Sequence, residues 1–384
     1  MKVSEIKKIA VIGAGDMGHG IAQLALMAGF PVNLCDIKAE FVNRGAERII
    51  ASLDKLASKG RIEREKVDAV KDGMITKFTD ISEAVADVDY AIEVVPEVEE
   101  LKRTTLKTMS EAMREGAILA TNTSTMSITN LSSVVKNPSR FLGIHYFNQT
   151  VLMKLVEVVN GGSTASETLQ FGIDYVNLIG KVLVIARKDR PGFIANRIAA
   201  PTIVYNGLQL DVDGRTPEDI DLSMMKTGQK MGPMELADYT RIDVMSACQD
   251  YYHEHLDPEY GPSKAARTLL KQGFVGKKTG RGYYVWDQPG RPRLDESKWT
   301  GTYDPDLFYF IEANEATKLY EEGVCSLEEC DTAMKFGYNT AGPIEYIQNF
   351  DTKYVASKLQ EISDKYEYKI FEPTQTIKNG TYKK

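Results

Sequence analysis

Residues 8–36 read KIAVIGAGDMGHGIAQLALMAGFPVNLCD, and this stretch decides the fold. It begins with an apolar run that predicts a buried strand, passes through the glycine-rich turn 13–18, and enters an amphipathic segment that predicts a helix. A second apolar run ends at Asp36, roughly 20 residues beyond the turn, where an acidic residue is expected. This order of strand, glycine turn, helix, strand and acid is typical of a dinucleotide-binding βαβ unit.

The turn has the GxGxxG pattern, and its three glycines have different roles. Gly13 permits the tight turn, Gly15 lets the backbone approach a pyrophosphate, and Gly18 lets the helix pack closely on the sheet. The helix N-terminus supplies amide donors and the positive end of a dipole for the phosphates. Asp36 is expected to bind the adenine ribose hydroxyls and to repel a 2′-phosphate, which favours NAD over NADP. The alternative is a glycine turn that binds no dinucleotide, and the position of Asp36 argues against it. The predicted NAD contacts in this region are Gly13, Gly15, Asp16, Met17, Gly18 and Asp36.

Residues 7–189 alternate between short apolar runs and helical stretches. Runs rich in Val and Ile, such as DYAIEVV and KVLVIAR, predict buried strands, with amphipathic segments between the early ones. Strand and helix in alternation predict a parallel, doubly wound α/β sheet of the Rossmann type. The charged segment 39–77 predicts two helices joined at 58–61 and inserted between strands. Its basic residues either meet a ligand's phosphates or lie on a solvated helical hairpin.

At residues 189–192 the pattern changes, because strand-like runs nearly stop and helical periodicity dominates. The sequence PEDIDLSMMKTGQKMGPMEL at 217–236 resembles LEECDTAMKFGYNTAGPIEY at 327–346, and Asn206 and Asn314 align in the helices before them. Such a repeat predicts an all-α C-terminal region made of two related helical units, joined by a polar Pro/Gly-rich linker. The predicted division is a Rossmann domain at 1–189 with its insert at 39–77, a first helical domain at 190–288, and a second helical unit at 300–384.

Composition and charge exclude several classes of function. The chain has 384 residues, 43% hydrophobic and 26% charged, which is ordinary for a globular protein of two or three domains. Its net charge of −7 gives no attraction to nucleic acid or to an anionic membrane, and no apolar run is long enough to span a bilayer. Because the chain enters its first strand almost directly, we expect no signal peptide and a cytoplasmic location.

The sequence predicts neither a disulfide framework nor a metal site. The four cysteines are scattered, and none forms a CxxC pair. His253 and His255 stand two residues apart, so they do not share one face of a helix.

A histidine and a glutamate stand in register across a predicted hairpin at 141–161, FLGIHYFNQTVLMKLVEVVNG. If its two strand-like runs fold antiparallel about Val151, then His145 lies opposite Glu157, and cross-strand Cβ atoms are about 4.5–5.5 Å apart. A carboxylate at that distance fixes the imidazole tautomer and stabilises the imidazolium, as in general-base dyads. Oxidation of an alcohol needs a base for the hydroxyl proton and an acceptor for the hydride, and His145 and NAD supply these. A structural histidine is the alternative.

The segments GAGDMGHGIA, EVVPEVEELK, ATNTST, GIHYFNQTVLMKLVEVV and RPGFIANRI, in this order and spacing, resemble the 3-hydroxyacyl-CoA dehydrogenase family. The resemblance covers roughly residues 5–288 and extends weakly to the repeat after 300. One departure is Gln149, which stands after Asn148 where the family usually has proline.

The resemblance implies a catalytic set. His145 is the base and Glu157 its orienting partner, while Ser124 and Asn148 lie against the 3-oxygen and the thioester region of the substrate. Asn196, on the first helix of the second domain, completes the site. Each of the last three has a structural alternative: Ser124 as a helix cap, Asn148 as a turn residue, and Asn196 as a locally bonded helix residue.

The resemblance also implies ligand contacts beyond the glycine turn. Glu97 and Lys102 match family positions beside the nicotinamide ribose, and Asn122 matches one that lines the cofactor cleft. Ser52 and Lys59 fall, more loosely, where the family's helical insert meets the CoA moiety.

The reaction implied is NAD-dependent, reversible oxidation of a (S)-3-hydroxyacyl-CoA to the 3-oxoacyl-CoA, with a short chain such as 3-hydroxybutyryl. The alternatives are a related dehydrogenase of a free hydroxy acid or sugar acid such as gulonate, a non-catalytic nucleotide-binding protein, and one part of a larger β-oxidation-type assembly with a hydratase. In the family the helical domain usually forms the dimer interface, so this chain is expected either to form a homodimer or to fill that interface with its own repeat.

Overall fold

The structure is a computed structural model that describes residues 1–287 and 290–383. The chain divides into two compact units, Met1–Phe193 and Ile194–Lys384. The predicted domain ends at residues 288 and 384 lie outside the described residues, and the three-part division stays a prediction.

The N-terminal unit is built on one eight-stranded sheet. Its strands are β1 (Ile9–Ile12), β2 (Val32–Cys35), β3 (Ile75–Phe78), β4 (Tyr90–Glu93), β5 (Ile118–Thr121), β6 (Phe141–Tyr146), β7 (Leu155–Val159) and β8 (Val182–Ala186). They lie in the spatial order β3-β2-β1-β4-β5-β6-β7-β8. Neighbouring strands are parallel except β6 and β7, which form the predicted antiparallel hairpin. The predicted doubly wound α/β fold is confirmed.

Helices of this unit connect the strands. They are α1 (Gly18–Met27), α2 (Ala39–Ser58), α3 (Arg64–Ala69), α4 (Ile81–Val85), α5 (Glu99–Ala112), α6 (Ile128–Ser132) and α7 (Ser166–Leu178). Every residue of β1, β2, β4, β5, β6 and β7 is buried. Strands covered on both faces need apolar residues at successive positions, which is why these segments read as continuous Val/Ile-rich runs rather than alternating ones.

The segment 39–77 contains the two expected helices, α2 and α3, but it does not stay helical to its end. A π-helical turn at Val70–Met74 contains Gly73, whose φ of +124° is outside the helical region, and the chain then enters β3. The helical interpretation of residues 75–77 is therefore wrong. β3 lies at the edge of the sheet and is only partly covered, so its sequence ITKF lacks the apolar run that marks the other strands.

The register brings the carboxyl ends of the central strands together. Ile12 at the end of β1 pairs with Glu93 at the end of β4, and Glu93 pairs with Thr121 at the end of β5. The residues that follow these strands therefore share one edge of the sheet, which is where ligands bind in open α/β folds.

The regular secondary structure of the C-terminal unit is helical in its described residues, apart from isolated bridges between 276 and 285. Its helices are α8 (Ala195–Asp211), α9 (Pro217–Met225), α10 (Pro233–Thr240), α11 (Ile242–His255), α12 (Lys264–Lys271), α13 (Pro305–Glu321), α14 (Leu327–Ala333), α15 (Pro343–Ile347), α16 (Thr352–Tyr366) and α17 (Gln375–Asn379). In residues 1–287 and 290–383, no helix has the length and apolar character needed to cross a bilayer.

The two copies of the repeat have the same local structure. Asp221 in α9 accepts hydrogen bonds from two backbone amides in the first turn of α10, both at 2.8 Å. Asp331 in α14 does the same for α15, at 2.7 and 3.1 Å. Gly232 and Gly342 precede these helices, and a Cβ at either would overlap the aspartate side chain of its own copy. The shared spacing of Asp and Gly-Pro in the two sequences thus encodes the same side-chain cap in both copies. The predicted all-α C-terminal region is confirmed, and its division into two related units stays a prediction.

Candidate active site

The glycine-rich turn has the geometry that its sequence predicts. Gly13 adopts a φ of +109°, and a Cβ there would lie 2.5 Å from the carbonyl oxygen of Val94 on the neighbouring strand connection. A Cβ on Gly18 would overlap the carbonyl oxygen of Gly13. At Gly15, in contrast, a Cβ would meet no atom within 4 Å. The turn is therefore packed on its protein side and open at Gly15, where a pyrophosphate must approach the backbone.

Asp36 follows β2 and lies beside this turn. One carboxylate oxygen accepts from the amide of Ala14 at 2.8 Å, and the other accepts from the amide of Ile37 at 2.8 Å. Asp16, within the turn, pairs with Arg48 of α2 at 2.8 Å. The partly exposed carboxylate of Asp36, the amides at the start of α1 and the open face at Gly15 fit a dinucleotide's ribose and diphosphate.

His145 and Glu157 form the predicted pair. They are direct cross-strand partners in the β6–β7 ladder, and His145 Nδ1 lies 2.6 Å from Glu157 Oε2. The side chain of Glu157 is fully buried and His145 is 4% exposed. The rings of Phe147 and Phe193 lie 4.5 and 5.7 Å from the imidazole, measured between ring centroids. Since Nδ1 is engaged by the carboxylate, Nε2 is the nitrogen through which His145 can exchange a proton with a ligand.

Asn122 fixes the strand that carries His145. Its side-chain oxygen accepts from the backbone amide of Tyr146 at 2.9 Å, immediately after the histidine. The amide of Asn122 in turn donates to the carbonyl of Glu93 at 2.9 Å. Asn122 thus joins the ends of β4 and β6 at the ligand-binding edge of the sheet.

Ser124 is held by Glu97. The carboxylate of Glu97 accepts from the Ser124 amide at 2.9 Å, from the Thr123 hydroxyl at 2.5 Å, and more weakly from the Thr125 amide at 3.3 Å. The following helix α6 is capped by Ser127, whose hydroxyl accepts from the amide of Asn130. The alternative role of Ser124 as the cap of that helix is therefore wrong.

Lys102 lies under this cluster, and its ammonium is surrounded by protein acceptors. It lies 2.9 Å from Glu93, 3.2 Å from Glu97 and 3.1 Å from the carbonyl of Val95, and its side chain is 1% exposed. An ammonium has three N–H donors, and these acceptors match all three. Lys102 therefore holds the carboxylate of Glu97 in place.

Glu93 is a member of this cluster that sequence reasoning missed. It is fully buried at the end of β4 and accepts from Lys102, from the Thr121 hydroxyl at 2.6 Å and from the Val95 amide at 2.7 Å. The signal that could have found it is an acidic residue at the end of a Val/Ile-rich strand, since a buried carboxylate needs paired donors.

Lys102 and Glu97 stabilise each other's charge, whereas burial outweighs the partners of Glu93 and raises its pKa. Burial lowers the pKa of Lys102, but the carboxylates of Glu93 and Glu97 outweigh this effect and raise that pKa above its usual value. For Glu97, burial raises the pKa, but Lys102 and the hydrogen bonds from Thr123 and Ser124 outweigh it, so the net pKa is lowered. Glu97 therefore carries its negative charge at neutral pH.

Asn148 lies in the loop between β6 and β7 (residues 147–154, the hairpin loop) and is exposed. The peptide bond between Asn148 and Gln149 is cis. The turn is closed by the carbonyl of Gln149, which accepts from the amides of Leu152 and Met153, both at 2.9 Å.

The other predicted ligand residues lie in the helical insert and in the C-terminal unit. Ser52 is partly exposed in α2, and Lys59 directly follows the end of that helix and is exposed. Asn196, in the C-terminal unit, accepts a hydrogen bond from the hydroxyl of Tyr338 in the second repeat copy at 2.9 Å.

The histidines discounted as metal ligands have other contacts. His253 lies 2.7 Å from the carbonyl of Pro258, and His255 packs against the ring of Tyr251 at 4.2 Å. Over 1–287 and 290–383, no three His, Cys, Asp or Glu side chains are grouped so as to hold a metal ion.

Comparison with known proteins gives two family-model matches. Residues 8–190 match the NAD-binding domain of 3-hydroxyacyl-CoA dehydrogenase, and residues 192–286 match its C-terminal domain. Among curated proteins, a probable 3-hydroxybutyryl-CoA dehydrogenase of Deinococcus radiodurans is 37% identical over 283 residues, covering 73% of this chain and all of that protein. The mitochondrial hydroxyacyl-coenzyme A dehydrogenase of Rattus norvegicus is 36% identical and covers 73% of this chain and 91% of its own length.

Two solved structures extend the comparison to the fold. A 3-hydroxybutyryl-CoA dehydrogenase from Escherichia coli superposes with a TM-score of 0.88 at 26% identity, covering 98% of each chain. A (S)-3-hydroxybutyryl-CoA dehydrogenase from Ralstonia eutropha gives a TM-score of 0.70 at 33% identity, covering 74% of this chain and all of its own. The Escherichia coli protein therefore matches the second repeat copy as well, which lies beyond the residues matched by the family models.

Proposed function

This chain belongs to the 3-hydroxyacyl-CoA dehydrogenase family, and we propose that it oxidises a short-chain (S)-3-hydroxyacyl-CoA, such as the 3-hydroxybutyryl thioester, with His145 as general base. The chain is an NAD-dependent oxidoreductase of this family. The contact of 2.6 Å between His145 and the buried Glu157 carries the proposal. It supplies a base that is oriented by an acid at the edge of the sheet where the dinucleotide turn lies.

The proposed proton path uses the two nitrogens of one imidazole. The substrate's 3-hydroxyl gives its proton to Nε2 of His145 as the carbon–oxygen bond becomes a carbonyl. The Nδ1–H donates to Glu157, whose charge stabilises the imidazolium that forms. NAD, when bound, supplies the acceptor for the hydride that leaves the same carbon. The reverse reaction returns the proton along the same path.

The remaining site residues have positioning and binding roles in this proposal. Ser124 and Asn148 contact the 3-oxygen and the thioester region, and Asn196 is a further substrate contact. Glu97, oriented by Lys102, binds the nicotinamide ribose. The role of Ser124 is supported by the hydrogen bond of 2.9 Å from its backbone amide to Glu97, because this bond joins a proposed substrate contact to a proposed cofactor contact.

The ends of the two ligands are proposed to bind at the glycine turn and the insert. Asp36 binds the adenine ribose hydroxyls, and its charge disfavours a 2′-phosphate. Ser52 and Lys59, seven residues apart along and just beyond α2, meet the CoA moiety. The family resemblance supports this part of the proposal.

Catalysis by His145 is tested with acetoacetyl-CoA and NADH, by following the loss of NADH absorbance. We expect turnover by the native chain and a loss of about 10²–10⁴-fold in kcat for His145→Gln, the usual contribution of a general base. His253→Gln, on the exposed end of α11, is the matched control and should retain full activity. Unchanged turnover in His145→Gln would remove this residue from the mechanism. Activity on free 3-hydroxybutyrate or gulonate, with none on the thioester, would favour the free-acid alternative.

We also propose that the chain is monomeric and cytoplasmic. Helices α8 and α13 begin the two repeat copies and pack against each other, and a buried ion pair joins Arg197 to Glu315 across them. If the family's dimer contact is made through this region, the second copy takes the place of a partner subunit. Light scattering after size exclusion tests this, and a mass near twice 42.8 kDa would contradict it.

A further inference from the structure

The hairpin loop that carries Asn148 is fixed on one side by helix α1. Thr150 is buried, and its hydroxyl lies 3.6 Å from the sulfur of Met17. Gly20 lies opposite, and a Cβ at that position would come within 2.9 Å of the Thr150 Cβ. The loop thus packs directly on the helix that begins at the dinucleotide turn, and it can do so only because residue 20 has no side chain.

On the other side, the same loop is bound by Lys181. This residue directly precedes β8, and its Nζ lies 2.7 Å from the carbonyl oxygen of Thr150, 2.7 Å from that of Met153 and 3.4 Å from that of Val151. Three carbonyl dipoles of one loop therefore converge on one ammonium, which has three N–H donors. Burial lowers the pKa of Lys181 to about 8, because the ammonium has lost part of its water.

The ammonium is what makes this loop conformation favourable. Carbonyl oxygens that point at a common centre repel one another, and a cation at that centre reverses the sign of the interaction. An apolar side chain of similar length would leave the carbonyls without a donor in a half-buried position. Gln149 has no ring to restrict its φ, so the sequence of the loop adds little rigidity of its own.

We propose that Lys181 is a positioning residue, which holds the hairpin loop so that Asn148 is presented to the substrate at a fixed place relative to His145. The inference rests on the proposed function. His145 is the last residue but one of β6, and Asn148 follows it after three positions, so a loop held at residues 150–153 fixes the segment between them. In this proposal Lys181 acts through the backbone carbonyls of the hairpin loop and not through His145 or Glu157.

The test compares Lys181→Met and Lys181→Arg with the native chain, using acetoacetyl-CoA and NADH. We expect Lys181→Met to lower kcat and kcat/KM together by about 10- to 100-fold, since an error of about 1 Å in a reacting group's position has an effect of that size. The KM for each substrate should change little, because the interaction lost is one made in the transition state. Lys181→Arg keeps the charge and two or more donors, so it should recover most of the lost kcat. Lys107→Met, which removes an exposed ammonium on α5, is the matched control.

Several outcomes would overturn the proposal. One is a Lys181→Met variant with native kcat. Another is a variant in which kcat, NADH affinity by fluorescence titration and thermal midpoint all fall and Arg restores none of them, because this identifies a general structural role. If Lys181→Met does not fold, Lys181→Gln replaces it, with the same readouts. Inactivity of the native chain on acetoacetyl-CoA would contradict the proposed function, whereas an active native chain with insensitive Lys181 variants contradicts only this inference.

Discussion

Replacement of Glu157 by glutamine tests the central pair of the site. The substitution keeps the size of the side chain and one acceptor 2.6 Å from His145 Nδ1, but it removes the negative charge. The effect appears when the imidazolium forms, because its positive charge then has no carboxylate beside it at this buried site. Breaking one partner of a buried pair costs about 3–5 kcal/mol, and about 1.4 kcal/mol is tenfold in rate, so kcat should fall by about 150- to 5,000-fold.

The assay is NADH oxidation with acetoacetyl-CoA as the second substrate. KM should stay within a small factor of the native value, since the missing interaction belongs to the transition state. Glu167→Gln, in the exposed first turn of α7, serves as the control for loss of one carboxylate. A fall in kcat of less than about tenfold, or under about 1.4 kcal/mol, would refute the reasoning, because a buried carboxylate at this distance could not then be stabilising the charged histidine.

Other parts of the molecule give further expected outcomes. Gly232→Ala would force a methyl group against Asp221, so the free energy of unfolding from denaturant titration should fall by about 1–3 kcal/mol; no change would contradict the side-chain cap. Asp36→Ala removes the carboxylate that repels a 2′-phosphate, so the ratio of NADPH to NADH activity should rise, and an unchanged ratio counts against this role. Lys102 helps to hold the pKa of Glu97 below its usual 4.5. The ionised carboxylate therefore stabilises the fold above that pH, and this stabilisation is lost as the pH falls through the lowered pKa. The free energy of unfolding of Glu97→Gln should lack that part of the pH dependence, and an unchanged pH dependence would contradict the role of Lys102.

The parts of the site that follow from local rules could be predicted from the sequence. Antiparallel pairing about the short connection at Val151 requires His145 to face Glu157, because side chains alternate along strands and the register leaves no other choice. Asp36 could be located by its distance from the glycine turn in a βαβ unit. Both predictions depend only on spacing within one supersecondary unit, and both positions agree with the structure.

The parts that depend on distant backbone atoms could not be predicted. Lys181 binds backbone carbonyl groups about 30 residues away. Every residue has a backbone carbonyl, so the sequence does not indicate which of them a lysine binds. Glu93 reads as an ordinary strand residue until the Lys102 ammonium is placed beside it. Strand β3 was missed because an edge position removes the need for apolar residues on both faces.

The helical repeat has a consequence for how the two copies can change over time. In a pair of identical subunits every substitution appears on both sides of the interface at once, so the two sides cannot specialise. Here the copies are separate stretches of one chain, and each can vary alone. Glu315 pairs with Arg197 and with the hydroxyl of Tyr260. It aligns with Gly207, so this buried charge has no counterpart in the first copy. Because the two copies belong to a single polypeptide, the contact between these helices does not have to be symmetric.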